Sequence, residues 1–116
     1  MRRALTLLLL AVPGIAFSKW TPCASWPVNM TEVYLQNAGI VKIDQLDESK
    51  TKAIPIAYQK IGKDLYRQVF DITLYAKSGQ SFHVVTVSSA SSTECSISDV
   101  TTYLVSRKLT AEAPPP

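Results

Sequence analysis

The chain has 116 residues, of which 47% are apolar and 18% charged, with two cysteines, one histidine and a formal charge of +3. That length suits one domain and excludes a multidomain enzyme. The apolar share is too high, and the net charge too low, for a disordered coil.

Residues 1–18 read as a signal peptide. Arg2 and Arg3 precede an apolar run from Ala4 to Val12, Pro13 and Gly14 break it, and the small residues Ala16 and Ser18 suit peptidase cleavage before Lys19. A membrane-spanning helix would need about 20 apolar residues, so stable membrane insertion is not expected once the leader is removed. Removal takes two of the 12 basic residues and none of the 9 acidic ones, which leaves +1. The remaining basic residues are dispersed, with Asp64 among Lys60, Lys63 and Arg67. Nucleic acid is therefore not an expected partner.

Cys23 and Cys95 both follow the leader, and in an oxidising compartment they pair as a single disulfide. Closing so much of the chain into one loop is worth roughly 4 kcal/mol by chain entropy. Export, a disulfide and a periplasmic or secreted location form one expectation. The domain is expected over 19–110, with 111–116 as a flexible tail ending in prolines.

Residues 19–28 carry Trp20, Pro22, Trp26 and Pro27 and read as an ordered arm that is neither helix nor strand, with the tryptophans over one end of the core. Asn29 to Ala38 admits two readings. Asn29 and Glu32 resemble a capping box and Gly39 a helix terminus, whereas Thr31, Val33 and Leu35 alternate as in a strand. The helix is preferred.

Beyond Gly39 the apolar period is two. Ile40 to Leu46 is predicted to be a strand, Asp47 to Lys52 a polar connection, and Ala53 to Ile61 a second strand. Pro55 assigns that second strand to an edge or a bulge. Leu65 to Lys77 is the clearest strand, with Tyr66, Phe70, Ile72 and Leu74 facing the core. Gln80 to Ser88 has apolar groups on both faces and reads as central, covered on one side by the core and on the other by the arm or helix. Ile97 to Leu109 is again β-like, with Cys95 at its start. The predicted fold is α+β, mainly β: an antiparallel meander of four to five strands with at most one short N-terminal helix and one disulfide, or else all-β. This layout resembles that of some small exported bacterial proteins, colicin-immunity types among them, in which an arm or helix is pinned by one disulfide to an antiparallel sheet. The resemblance is one of architecture and carries no site residue with it.

The inventory for chemistry is short. One imidazole, His83, excludes two-histidine mechanisms and leaves a structural zinc site short of ligands. A serine of Ser88–Ser92 could in form join His83 and an aspartate, but no nucleophile-elbow pattern accompanies it. Asp44, Asp47 and Glu48 match neither a calcium loop nor a glycosidase pair. With four glycines in the chain there is no phosphate loop, and no cofactor or metal is expected.

Recognition remains. Tyr58, Tyr66, Tyr75 and Tyr103 come from strands, and Arg67 and Asp71 share a strand face, so these six are the candidate partner-binding residues. The Ser-rich stretch from Ser88 to Thr93 offers a second candidate surface beside the disulfide. The expected function is protein binding by surface complementarity, as in an inhibitor or immunity protein, without enzymatic activity. The partner would be a toxin, an enzyme or an envelope component. The alternative is an accessory subunit of an envelope or secretion assembly.

Overall fold

The structure, a computed structural model, describes residues 21–105. The leader and the tail expected at 1–18 and 111–116 lie outside these residues, as does Trp20. The element order is one helix α1 (Ser25–Asn37), two 3-10 turns (Ile43–Gln45 and Glu48–Lys50), and four strands: β1 (Lys52–Gly62), β2 (Leu65–Tyr75), β3 (Ser81–Ala90) and β4 (Thr101–Leu104). The strands form one antiparallel meander in sequence order.

The helix begins earlier than the sequence suggested. Residues 25–28 belong to it, so the expectation of a non-helical arm through Val28 is wrong. Pro27 is tolerated because it sits in the first turn, where an amide has no intrahelical acceptor to lose. The first i to i−4 bond runs from Val28 N to Ala24 O at 2.9 Å. Asn29 and Glu32 are therefore interior residues rather than a capping box, and Ala24 at the N-cap makes no side-chain cap. The C-terminus does follow the glycine signal. Gly39, at φ 75°, takes the left-handed turn, while its amide bonds Gln36 O and the Ile40 amide bonds Leu35 O, both at 2.9 Å.

The strand expected over Ile40–Leu46 is absent, so the described residues hold four strands. Local side chains capture its backbone instead: Ile43 N donates to Gln36 Oε1 at 2.8 Å and Lys42 N to Gln45 Oε1 at 3.2 Å. Val41 and Leu46 still enter the core, and Leu46 keeps a single bridge to Ala76. Asp47 caps the next turn, accepting from Ser49 N at 3.3 Å and Ser49 Oγ at 2.6 Å. The Ser49 hydroxyl holds the Asp47 carboxyl below its ordinary range.

β1 lies at the sheet edge with a register shift between Pro55 and Ala57, where a proline without an N–H is tolerated. Lys63 and Asp64 turn the chain into β2, Asp64 at φ 52°. Gly79, at φ 101°, serves the β2–β3 turn. The even positions of β2 and β3 face α1. Phe70, Ile72, Leu74, Phe82 and Val84 are buried with Leu35, Val41, Leu46 and Ala76 as the core. The last strand is shorter than predicted. Residues 97–100 are irregular, with a bend at 97–98, β4 spans four residues, and Cys95 lies in the loop before it; residues 106–109 are outside the described part.

One half of the helix–sheet interface is aliphatic and the other polar. At the polar end Gln68 is fully buried; its Nε2 donates to Cys23 O at 2.7 Å and to Ser88 Oγ at 3.2 Å, and its Oε1 accepts from Cys23 N at 3.0 Å. Beside it the Cys23–Cys95 disulfide closes across 72 residues with Cα atoms 5.6 Å apart. Trp26 is half-buried and its Nε1 donates to Ser98 O at 3.1 Å, which ties α1 to the segment before β4.

Glu32, on α1, is 5% exposed and meets Glu48 from the second 3-10 turn. Burial, then the hydrogen bond and charge of Glu48, push the Glu32 carboxyl up to about 7. The charged neighbours of Glu48 in that turn, Asp47 and Lys50, engage each other at 4.0 Å.

Candidate functional site

A strand side chain points up or down by parity, and partners directly opposite in an antiparallel pair share a face. The register thus sorts the sheet into a face covered by α1 and an open face. Ile54, Ala57 and Gln59 of β1 lie on the open face, with Arg67, Val69, Asp71, Thr73 and Tyr75 of β2. His83, Val85, Val87 and Ser89 of β3 join them, paired with Tyr103 and Thr101 of β4. No described element covers this face. The sequence expectation that β3 would be covered on both sides is corrected accordingly: α1 meets one face only.

The centre of the open face is apolar. Val69 stands opposite Val87, and Val85 stands between Asp71 and Tyr103. The three valines are half-buried by their neighbours in the sheet, and Ile54 and Tyr103 stand exposed at its margins. β-branched residues suit such a surface because their stiff side chains present it at little entropic cost.

A polar pair is set into this face. His83 Nε2 bonds Asp71 Oδ1 across β2 and β3 on a diagonal of the register. Asp71 and Arg67 do not pair with each other. The two share a face, but the imidazole takes the carboxylate, and Arg67 has no carboxylate partner among the described residues.

Four of the six candidate residues, Arg67, Asp71, Tyr75 and Tyr103, therefore come together on one surface. Tyr58 and Tyr66 do not. Tyr58 stands opposite Gln68, and Tyr66 opposite Lys60 and Ala90, on the side of the sheet that carries α1. The residues missed by sequence reasoning are the valines: their alternation was read as a sign of burial on both faces, and the same parity equally fits a docking face.

The Ser-rich stretch is divided. Ser88 and Ser89 belong to β3, while Ser92 donates through N and Oγ to Asp64 at 3.1 and 2.8 Å, joining this loop to the β1–β2 turn. Ser89 is the loop-side serine on the His83 face, and it lies six positions along the strand from His83, roughly 20 Å. The stretch thus brings no nucleophile to His83. The acidic group expected near the turns is also dispersed, with Asp47 on Ser49 and Glu48 on Glu32. Among the described residues no three His, Cys, Asp or Glu side chains gather as metal ligands, and no helix is long and apolar enough to cross a membrane.

Compared with known protein families, with curated proteins and with solved structures, the chain matches none.

Proposed function

We propose that this chain is a small exported protein-binding domain that docks its open sheet face on another protein, acting as an inhibitor or immunity-type protein does. The observation that carries the reading is the valine centre of that face, Val69, Val85 and Val87, rimmed by Arg67, Tyr75 and Tyr103. An apolar centre within a polar, aromatic rim is the anatomy of a protein interface. The disulfide and the signal-like leader are compatible with an exported life. Reconstituting the chain with an extract of its own cell envelope should recover one stoichiometric protein partner. Val87→Arg should lose it while leaving the melting temperature within a few degrees. Recovery of none across several salt concentrations overturns the reading.

A second reading, an accessory subunit of an envelope or secretion assembly, draws its support from the place of β1 at the end of the sheet order. Sedimentation separates the two: a subunit travels with a large complex, an inhibitor as a free small species until its target is added.

A further inference from the structure

The outer edge of β1 is a surface that the open face does not use. β1 ends the sheet order, and among the described residues no backbone hydrogen bond reaches it from outside the sheet. Such an edge offers a row of N–H and C=O groups to any extended chain laid beside it.

Charge narrows the occupant. Lys52, Lys60 and Lys63 are exposed, and residues 52–63 contain no acid. Of the carboxylates flanking it in sequence and across the ladder, Asp64 follows the strand and accepts from Ser92, while Asp71, opposite Ile54, pairs with His83. A second copy of β1 laid alongside would bring lysines toward lysines with no acid to offset them, which cross-strand electrostatics disfavours. An acidic chain meets the opposite situation.

Backbone geometry narrows its length. Pro55 donates no ladder bond, and the register shifts between Pro55 and Ala57 and again between Lys60 and Gly62. Of the two stretches in unbroken register, Lys52–Pro55 ends in a residue without an N–H and Ala57–Lys60 keeps all four amides, so the seat is short and a long indiscriminate template is denied. Within it Tyr58 and Lys60 share a face, and Tyr58 is 55% exposed. Successive side chains of an extended occupant on that face are two residues apart.

Resting on the protein-binding reading, we infer that the Ala57–Lys60 edge of β1 receives a short extended segment of an acidic partner protein. An apolar residue of that segment sits beside Tyr58 and a carboxylate beside Lys60. The β-branched and aromatic side chains already at this edge, Ile56 and Tyr58, supply the apolar contact, and the lysines supply the sign.

Two capped eight-residue peptides test this on the oxidised, isotope-labelled chain: one repeats valine–threonine–glutamate–threonine, so that valine and glutamate fall two apart on one face, and the other has lysine in place of each glutamate. The valine–glutamate peptide should bind saturably, protect outward amides of residues 57–60 from exchange at least tenfold, and bind at least tenfold tighter than the valine–lysine peptide. Lys60→Glu with Lys63→Glu should reverse that preference, and both residues are exposed, so the variant folds. Equal binding of the two peptides, protection at β4 instead, or no saturation at millimolar peptide overturns the inference. A chain whose envelope partner is lost with Val87→Arg but indifferent to the lysine reversal refutes the edge and keeps the protein-binding reading. Peptide binding without any envelope partner does the converse.

Discussion

β1 and β3 are nearly equal in length, eleven and ten residues, and both are rich in aliphatic and aromatic side chains. Their fates differ. β3 has a strand on each side and α1 beneath it, and every second residue from Phe82 to Ala90 is buried. β1 has one neighbour, and only Ala53 is even half-buried along its length. Ile54 and Ile56 stay 56% and 55% exposed although each is as apolar as Val84, which is fully buried. Burial here follows position in the sheet and the reach of one short helix rather than the hydropathy of the strand. A strand that stays apolar without being buried is available for another use.

Substitutions sharpen that contrast, beginning with the largest effect. Phe70→Ala, in the core next to β3, should cost about 3–5 kcal/mol in a urea melt, because it removes a buried ring and leaves a cavity. A loss below about 1 kcal/mol would mean that the β2–β3 face is not the core. Replacing Cys23 and Cys95 together with alanine should cost roughly 4 kcal/mol, the chain entropy of a 72-residue loop, and should loosen the polar end around Gln68 first. Amide exchange of Cys23 and Gln68 rising ahead of Phe82 and Val84 would confirm the order.

Glu32 gives a pH dependence with a definite sign. Its carboxyl titrates near 4.5 in an unfolded chain and at about 7 in the fold. Between those values the folded state binds more protons, so stability falls as pH rises from about 4.5 to about 7 and then levels off. The expected loss is on the order of 3 kcal/mol. Glu32→Gln should abolish that slope, and Glu48→Gln should reduce it by removing the facing charge. Stability that rises through this window in the parent chain would contradict the buried carboxyl pair. The smallest effect belongs to β1. Ile56→Thr should change stability by less than about 0.5 kcal/mol, since the side chain already meets water. A loss of 2 kcal/mol there would show that β1 is covered in the folded protein.

The strands over 53–61, 65–77 and 80–88 are legible because period-two alternation holds there, and Pro55 marks the edge; the turns between them fall at Lys63–Asp64 and around Gly79. Ile40–Leu46 was misread for a physical reason. Its β-rich composition competes with Gln36 and Gln45, whose amides cap the local backbone and hold it in a 3-10 turn. The helix starts ahead of the position that Pro27 suggests, because a first-turn proline loses no hydrogen bond. Part of the candidate surface was legible too. Parity alone sets Arg67, Asp71 and Tyr75 on one face, but pairing to His83 and Tyr103 depends on register across strands, which composition does not encode.

Parity, turn residues and the presence of just two cysteines are local or countable properties, and from them the sequence by itself determined the meander, the face of β2 that enters the core and the covalent pairing. Which face of β3 stays open, which carboxylate His83 holds and how much of β1 one thirteen-residue helix leaves bare were decided by the tertiary structure. The His83 pair depends on the β2–β3 register, and the other two on where α1 comes to rest against the sheet, a balance of Leu35, Gln68 and Trp26 contacts between residues distant in the chain.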